Sequence, residues 1–225
     1  MKILVVVAHP DDETLGAGGT ILALTNGGHN VSVSVIGSKV QARAVKPSEE
    51  KLLEDQKLVL ESLGVKRVFN KDFPDNRLNT VPHLELVQYI ESIILKTMPD
   101  LVITHFQNDL HQDHCIVSKA CQVAIKKPQR NLKDHKVKDL WCMEVLSSTN
   151  WSIAGESFRP NVFIPLTEKQ VDKKCSMMEI YTGVNRPIPH PVNGITIKAQ
   201  ARLRGSQCGY NYAEAFECLF AIVEA

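Results

Sequence analysis

Two short stretches of the chain carry side chains able to do chemistry together. Residues 8–13 read "AHPDDE", placing His9 and Pro10 directly before three consecutive carboxylates, Asp11, Asp12 and Glu13. Residues 105–114 read "HFQNDLHQDH" and hold His105, Asp109, His111, Asp113 and His114. Coulomb repulsion among three adjacent acids opposes such a cluster, and no packing rule asks for one, so a positive partner is expected beside it. A histidine, a carboxylate and a second histidine supply three ligands to a divalent ion and leave one position open, the pattern of catalytic rather than structural zinc. Such an ion makes water acidic and polarises a carbonyl oxygen. A neighbouring carboxylate outside the ligand set is then placed as general base. Pro10 stiffens the turn that aims these groups.

Each piece also has a plain structural reading. "DDE" alone fits a solvated turn, Asp113 fits a helix N-cap, and a lone strand-end histidine is commonly just a packed one. The joint occurrence, each cluster at the end of a Val-rich strand, favours the chemistry.

The elements that position these residues are legible in the pattern. "KILVVVA" is a continuous apolar run of the kind buried on both faces of a parallel sheet. Residues 12–28 read as a turn and helix closed by Gly27 and Gly28. "NVSVSVIGS" is a second strand, and 47–64 an amphipathic helix bounded by Pro47, Ser48 and Gly64. "VKRVFN" is a short strand, followed by a loop at 71–80, a helix in 81–98, the strand "PDLVITH" and a helix from 113 to about 127. Regular alternation from 2 to 126 predicts a doubly wound α/β architecture with a mostly parallel sheet and helices on both faces. In such sheets ligands bind at the carboxyl ends of the strands, at the switch in strand order. If the first and fourth strands are neighbours there, the two clusters meet. Beyond the basic loop at 126–138, read as solvated, come strands at 139–146 and 160–166, a helix near 167–181, the Pro-rich loop "NRPIPHPVNG", a helix near 195–204 and a last segment, "EAFECLFAIV". One domain over 1–225 is expected, its core units in about 1–126, with about 139–225 completing the sheet and the site's rim.

Bulk composition narrows the classes. With 26 Lys plus Arg against 25 Asp plus Glu, the net charge is +1, which removes the basic face a nucleic-acid partner requires. No apolar run approaches the ~18 residues of a membrane span. The 6 cysteines are scattered, without a C-x-x-C pair, so reduced thiols and a cytoplasmic location are expected. "GAGGT" lacks the last glycine of G-x-G-x-x-G and follows three acids that would repel a pyrophosphate. Close packing of a helix on the sheet explains it better.

"AHPDDETLGAGGTI", with "HFQNDLHQDH" a hundred residues on, "FPDNRL" and the C-terminal "PHPVNG…ARLRGSQCGYNYAEAFE", resembles the PIG-L/LmbE-like family of metal-dependent N-acetylsugar deacetylases. The resemblance covers nearly the whole chain and implies a Rossmann-like α/β fold. It implies that His9, Asp12 and His114 hold the metal, Zn2+ or another divalent ion such as Fe2+, with Asp11 as general base. His111 is implied to stabilise the oxyanion and protonate the leaving amine, and Asp113 to orient a neighbouring histidine. Arg43 and Asp75 match positions that grip sugar hydroxyls or an attached group. His190 matches a histidine that closes the site, in some members from a neighbouring subunit, which would require a homo-oligomer. Leu110 stands where a basic residue is common, and Asn76 replaces a common glycine after Asp75. The implied substrate is a small N-acetylglucosamine-type conjugate. Three rivals stay open: a non-haem iron oxygenase on the same ligands, an amidase on a non-sugar amide such as a thiol conjugate, and a non-catalytic carbohydrate-binding relic.

Overall fold

Among the described residues seven strands and six α-helices follow one another, in the order the pattern predicts up to the last segment, to which it gives no type. The computed structural model describes residues 1–38, 47–153 and 155–223. The first half comprises β1 (Lys2–Val7), α1 (Asp12–Asn26), β2 (Asn30–Val35), α2 (Glu49–Ser62), β3 (Arg67–Asn70), α3 (His83–Thr97), β4 (Leu101–His105) and α4 (Gln112–Ala124). The second comprises β5 (Asp139–Met143), β6 (Val162–Leu166), α5 (Glu168–Ile180), α6 (Gly194–Cys208) and β7 (Tyr212–Ala221). One sheet takes all seven strands in the order β3-β2-β1-β4-β5-β7-β6. β1 to β5 pair in parallel, whereas β7 runs antiparallel between β5 and β6.

The apolar run of β1 has a direct cause. Ile3, Val5 and Val7 pack into a core shared with α1, α2, α5 and α6, while Leu4 and Val6 face a second core under α3 and α4. Both faces are buried, which favours apolar residues at successive positions. β2 departs from the simple expectation for an alternating strand. Val31, Val33 and Val35 enter the first core, but Ser32 and Ser34 are buried too, on the α3 side. The final apolar segment is the antiparallel β7, starting two residues earlier than its hydrophobic run.

The glycines of "GAGG" do bring α1 close to its neighbours. A Cβ on Gly16 would lie 2.5 Å from Met143 Sδ of β5, and one on Gly19 would lie 2.4 Å from Leu166 Cδ1 of β6 and 3.1 Å from Glu214 Oε1 of β7. Glu214 in turn accepts the Gly19 and Thr20 N–H groups at 2.9 and 2.6 Å and pairs with Lys174 Nζ at 2.6 Å. The helix that begins with the acidic cluster is thereby pinned to the C-terminal strands. Gly19→Ala is expected to destabilise the fold by about 1–3 kcal/mol through overpacking. Gly18→Ala, whose Cβ would have the Thr14 methyl at 3.2 Å and the flexible Lys174 chain from 3.4 Å as its nearest neighbours, should cost less. Urea unfolding midpoints of the two variants check this.

Candidate metal centre

Parallel pairing of β1 with β4 (Ile3 opposite Leu101, Val5 opposite Ile103) sets both strand tips at one level. Just beyond, the Ala8 N–H donates to His105 Nε2 at 2.8 Å, which stitches the tips together. From here the chain enters α1 on one side and α4 on the other, and the two clusters converge as the topology predicts.

The three consecutive acids separate rather than share one environment. Asp11, the N-cap of α1, sits at φ 103° with its carbonyl accepting the Thr14 and Leu15 N–H groups at 3.1 and 2.8 Å, and it lines a cavity of about 220 Å3. A non-glycine residue at such a φ stores strain of about 1–3 kcal/mol, a recurrent feature of functional sites. Asp12 points inward. Its Oδ2 accepts the His9 N–H at 2.9 Å and lies 3.3 Å from His9 Nδ1, 3.3 Å from His114 Nε2 and 3.5 Å from His105 Nε2. Glu13 turns away, fully buried, towards Tyr181. A single cation therefore does not steady all three acids: residues in a helix step round its axis, and Glu13 is satisfied by protein donors instead.

From α4 come the remaining groups. His111 is the N-cap, its Nδ1 accepting the Asp113 N–H at 3.2 Å, so the N-cap reading of Asp113 does not hold. Asp113 instead accepts from His9 Nε2 at 3.1 Å and from the Leu78 N–H at 3.1 Å. Asp75 Oδ1 lies 3.4 Å from the same His9 nitrogen, so it is buried against an imidazole as well as lining the cavity. Asn76 occupies φ 55°, a conformation open to asparagine and glycine, which explains why one can replace the other here. His190 lines the cavity within its own chain, together with Val184 and Arg186. Leu110 is exposed at the rim of an adjoining recess of about 360 Å3, which shares Asn76, His111, Ser147 and Ser148 with the first cavity. Arg43 lies outside the described residues.

Sequence reasoning assigned no role to the support of His114. Asp109 Oδ1 lies 3.4 Å from His114 Nδ1, and its carboxylate also accepts from the His111 N–H, Ser148 Oγ and Thr149 Oγ1. Nothing in the local pattern marks Ser148 or Thr149, which arrive from the turn after β5. His105 is a sheet-stitching residue stacked on His114 at 3.9 Å.

Electrostatics follow from this crowding. Burial opposes the His9 imidazolium, but the bonds to Asp113 and Asp12 and the Asp75 charge raise its pKa to about 10. Burial likewise opposes protonation of His114, yet Asp12 and Asp109 raise it to about 9. Burial and then the charges of His114 and His9 lower His111 to about 4. Burial pushes the Asp12 carboxyl up, and the surrounding histidines overcome this and hold it well below the usual range. His111 is thus neutral, and because its Nδ1 accepts a hydrogen bond its proton sits on Nε2.

The donor set fits a divalent ion. Ligand atoms of His9, His111 and His114 lie within 4.8 Å of one another, as do those of Asp12, His105 and His114, and those of His9, Asp75 and Asp113. The separations of 3.3 Å from Asp12 Oδ2 to His9 Nδ1 and His114 Nε2 suit nitrogen and oxygen ligands at about 2.0–2.2 Å from one ion. Carboxylates that hold the remaining histidine nitrogens are the usual outer support of such a site.

Fold and site define a doubly wound α/β protein with a buried His/Asp cluster, able to hold a cation, at the strand switch. Residues 4–125 match the model of the family described as PIG-L, GlcNAc-PI de-N-acetylase; the match takes in more than half of the chain, which belongs to that family. Among relatives, the probable N-acetyl-alpha-D-glucosaminyl L-malate deacetylase 2 of Bacillus cereus is 31% identical over 137 residues, 56% of this chain and 61% of that protein. Diacetylchitobiose deacetylase of Thermococcus kodakarensis is 34% identical over 108 residues, 45% of this chain and 39% of its own. The matched region thus spans less than two thirds of either relative. Of solved structures, GalB, the 4-carboxy-2-hydroxymuconate hydratase of Pseudomonas putida, superposes with TM-score 0.75 at 19% identity over 100% of this chain and 99% of that one. That is a likeness of fold alone.

An ion entering this centre must displace the protons held on His9 and His114, so its affinity should fall as pH falls. Zinc titrations are expected to show one ion taken up by the wild type, with affinity rising at least tenfold per pH unit between about 6 and 8. His9→Ala should take up none.

Proposed function

We propose that this chain is a metal-dependent N-deacetylase that removes the acetyl group from an N-acetylglucosamine-type conjugate. The observation that carries the reading is the convergence, in one cavity, of Asp11 with His9, Asp12, His111 and His114. Membership of a family described by de-N-acetylation, and the activities named for the two relatives, support it.

His9, Asp12 and His114 would hold the ion, Zn2+ or another divalent metal such as Fe2+. When bound, it supplies Lewis acidity, which acidifies water and polarises an acyl oxygen. Asp113 and Asp75 hold the outer nitrogen of His9, and Asp109 that of His114, so both rings are fixed before substrate arrives. Asp11 lies outside the ligand set and faces the cavity, where it takes a proton from the attacking water. The neutral His111 offers its Nε2–H to the oxyanion that forms as water adds to the amide carbon, a contribution of about 3–4 kcal/mol for one such donor. Because burial, the largest influence on it, holds His111 neutral, the proton for the departing amine comes from Asp11, which passes on what it took from water. C–N cleavage then yields acetate and the free amine. The adjoining recess, with Leu110 at its rim, gives room for the group attached to the sugar.

Asp11→Asn is expected to keep the ion and lose about 10²–10⁴-fold in turnover. Amine release from a panel of N-acetylglucosamine and its neutral and anionic glycosides, with and without a chelator, tests the reading. Release that is insensitive to the chelator, or undiminished in Asp11→Asn, would overturn it.

A further inference from the structure

Glu13 takes no part in the centre as described, yet its carboxylate is fully buried. Burying a carboxylate costs several kcal/mol unless its lone pairs are satisfied, and here they are satisfied by three donors. Tyr181 Oη donates to Oε1 at 2.6 Å, Thr14 Oγ1 donates to the same oxygen at 2.7 Å, and the Asp11 N–H donates to Oε2 at 3.1 Å. A carboxylate that merely capped α1 would reach back to Asp11 and need nothing from 168 residues away. The distant partner is what calls for explanation.

Tyr181 is buried and forms the C-cap of α5. The next residue, Thr182, donates both its N–H, at 3.0 Å, and its hydroxyl, at 2.8 Å, to Asp55 of α2. Immediately afterwards the chain forms the cavity wall that holds Val184, Arg186, His190 and Val192. Two carboxylates therefore anchor consecutive residues at the root of that wall. One of them, Glu13, holds Asp11 with its other oxygen.

We infer that Glu13 is a positioning residue: through its bond to the Asp11 N–H it keeps Asp11 at φ 103°, and through Tyr181 it sets the substrate-facing wall at 183–192 relative to that base. The inference rests on the reading of Asp11 as general base. A strained backbone persists only where its surroundings over-determine it, and Glu13 joins the strained Asp11 to the wall that faces it.

Glu13→Gln keeps the volume but leaves a single accepting oxygen, so either the Asp11 N–H faces an amide N–H or the Tyr181 and Thr14 hydroxyls must turn round to accept from the new amide. Kinetics of zinc-loaded wild type, Glu13→Gln, Tyr181→Phe and each combined with Asp11→Asn, on a substrate found by amine release, test the inference. Expected in Glu13→Gln is a kcat about 10–100-fold lower, with KM changed less than about threefold and zinc content unchanged. Tyr181→Phe should lose about 3–10-fold in kcat. Neither change should lower kcat further once Asp11 is already asparagine, because both act through Asp11. A crystal structure of zinc-free Glu13→Gln should show Asp11 out of the left-handed region; if that variant does not fold, Tyr181→Phe carries the kinetic test.

Wild-type kcat in Glu13→Gln, loss of zinc, an unmoved Asp11, or an equal loss in the Asp11→Asn background would each overturn the inference. Full activity of Asp11→Asn by itself would instead overturn the assignment of the base.

Discussion

Everything at the centre depends on β1 and β4 being parallel neighbours with level tips. Once the Ala8 N–H meets His105 Nε2, His9 and Asp12 face His114. The buried carboxylates of Asp12, Asp75, Asp109 and Asp113 then stand among imidazoles. Charges out of water are tolerable only when paired and hydrogen-bonded, and among the described residues protons on His9 and His114, or a cation, supply positive charge there. That requirement accounts for the density of the network. Asp12 touches three imidazoles, Asp113 bonds both His9 and a backbone N–H, and Asp109 gathers two hydroxyls and a backbone N–H behind His114.

Rigidity beneath the cluster has a separate source. α1 lies close on β5 and β6 because Gly16 and Gly19 leave no room for a Cβ, and Glu214 of β7 holds its backbone while pairing with Lys174 of α5. The first turn of that helix carries Asp12, so the C-terminal elements support a proposed ligand that they do not themselves supply. They also provide the opposite wall through the segment after Tyr181. The match to the family model ends at residue 125, while the cavity includes residues as far as Val192, so one of its walls lies beyond the matched region.

Architecture by itself does not choose the reaction. A hydratase shares this fold over its full length, and a doubly wound sheet presents loops at its switch point whatever chemistry they carry. The proposed reaction rests on side chains instead: a strained carboxylate, Asp11, and a neutral imidazole, His111, lining the same cavity as His9, Asp12 and His114. Among the described residues no helix is long and apolar enough to cross a membrane, and the 6 cysteines are unpaired.

Periodicity and punctuation in the sequence determined the strand–helix order, and the convergence of two motifs at strand ends was legible because local order fixes which end of each strand a motif occupies. The close packing implied by "GAGG" was legible for a similar reason: glycine in a helix has few other uses. What only the tertiary structure decided lies across long separations in the chain. The direction each of the three adjacent acids takes, the attachment of Asp75 to His9, and the support of His114 by Ser148 and Thr149 depend on which surfaces meet when the layers pack. Hydroxyls, tyrosines and buried serines carry no periodic signal of their own. A contact such as Tyr181 to Glu13 is created by packing, and nothing within either local stretch could announce it.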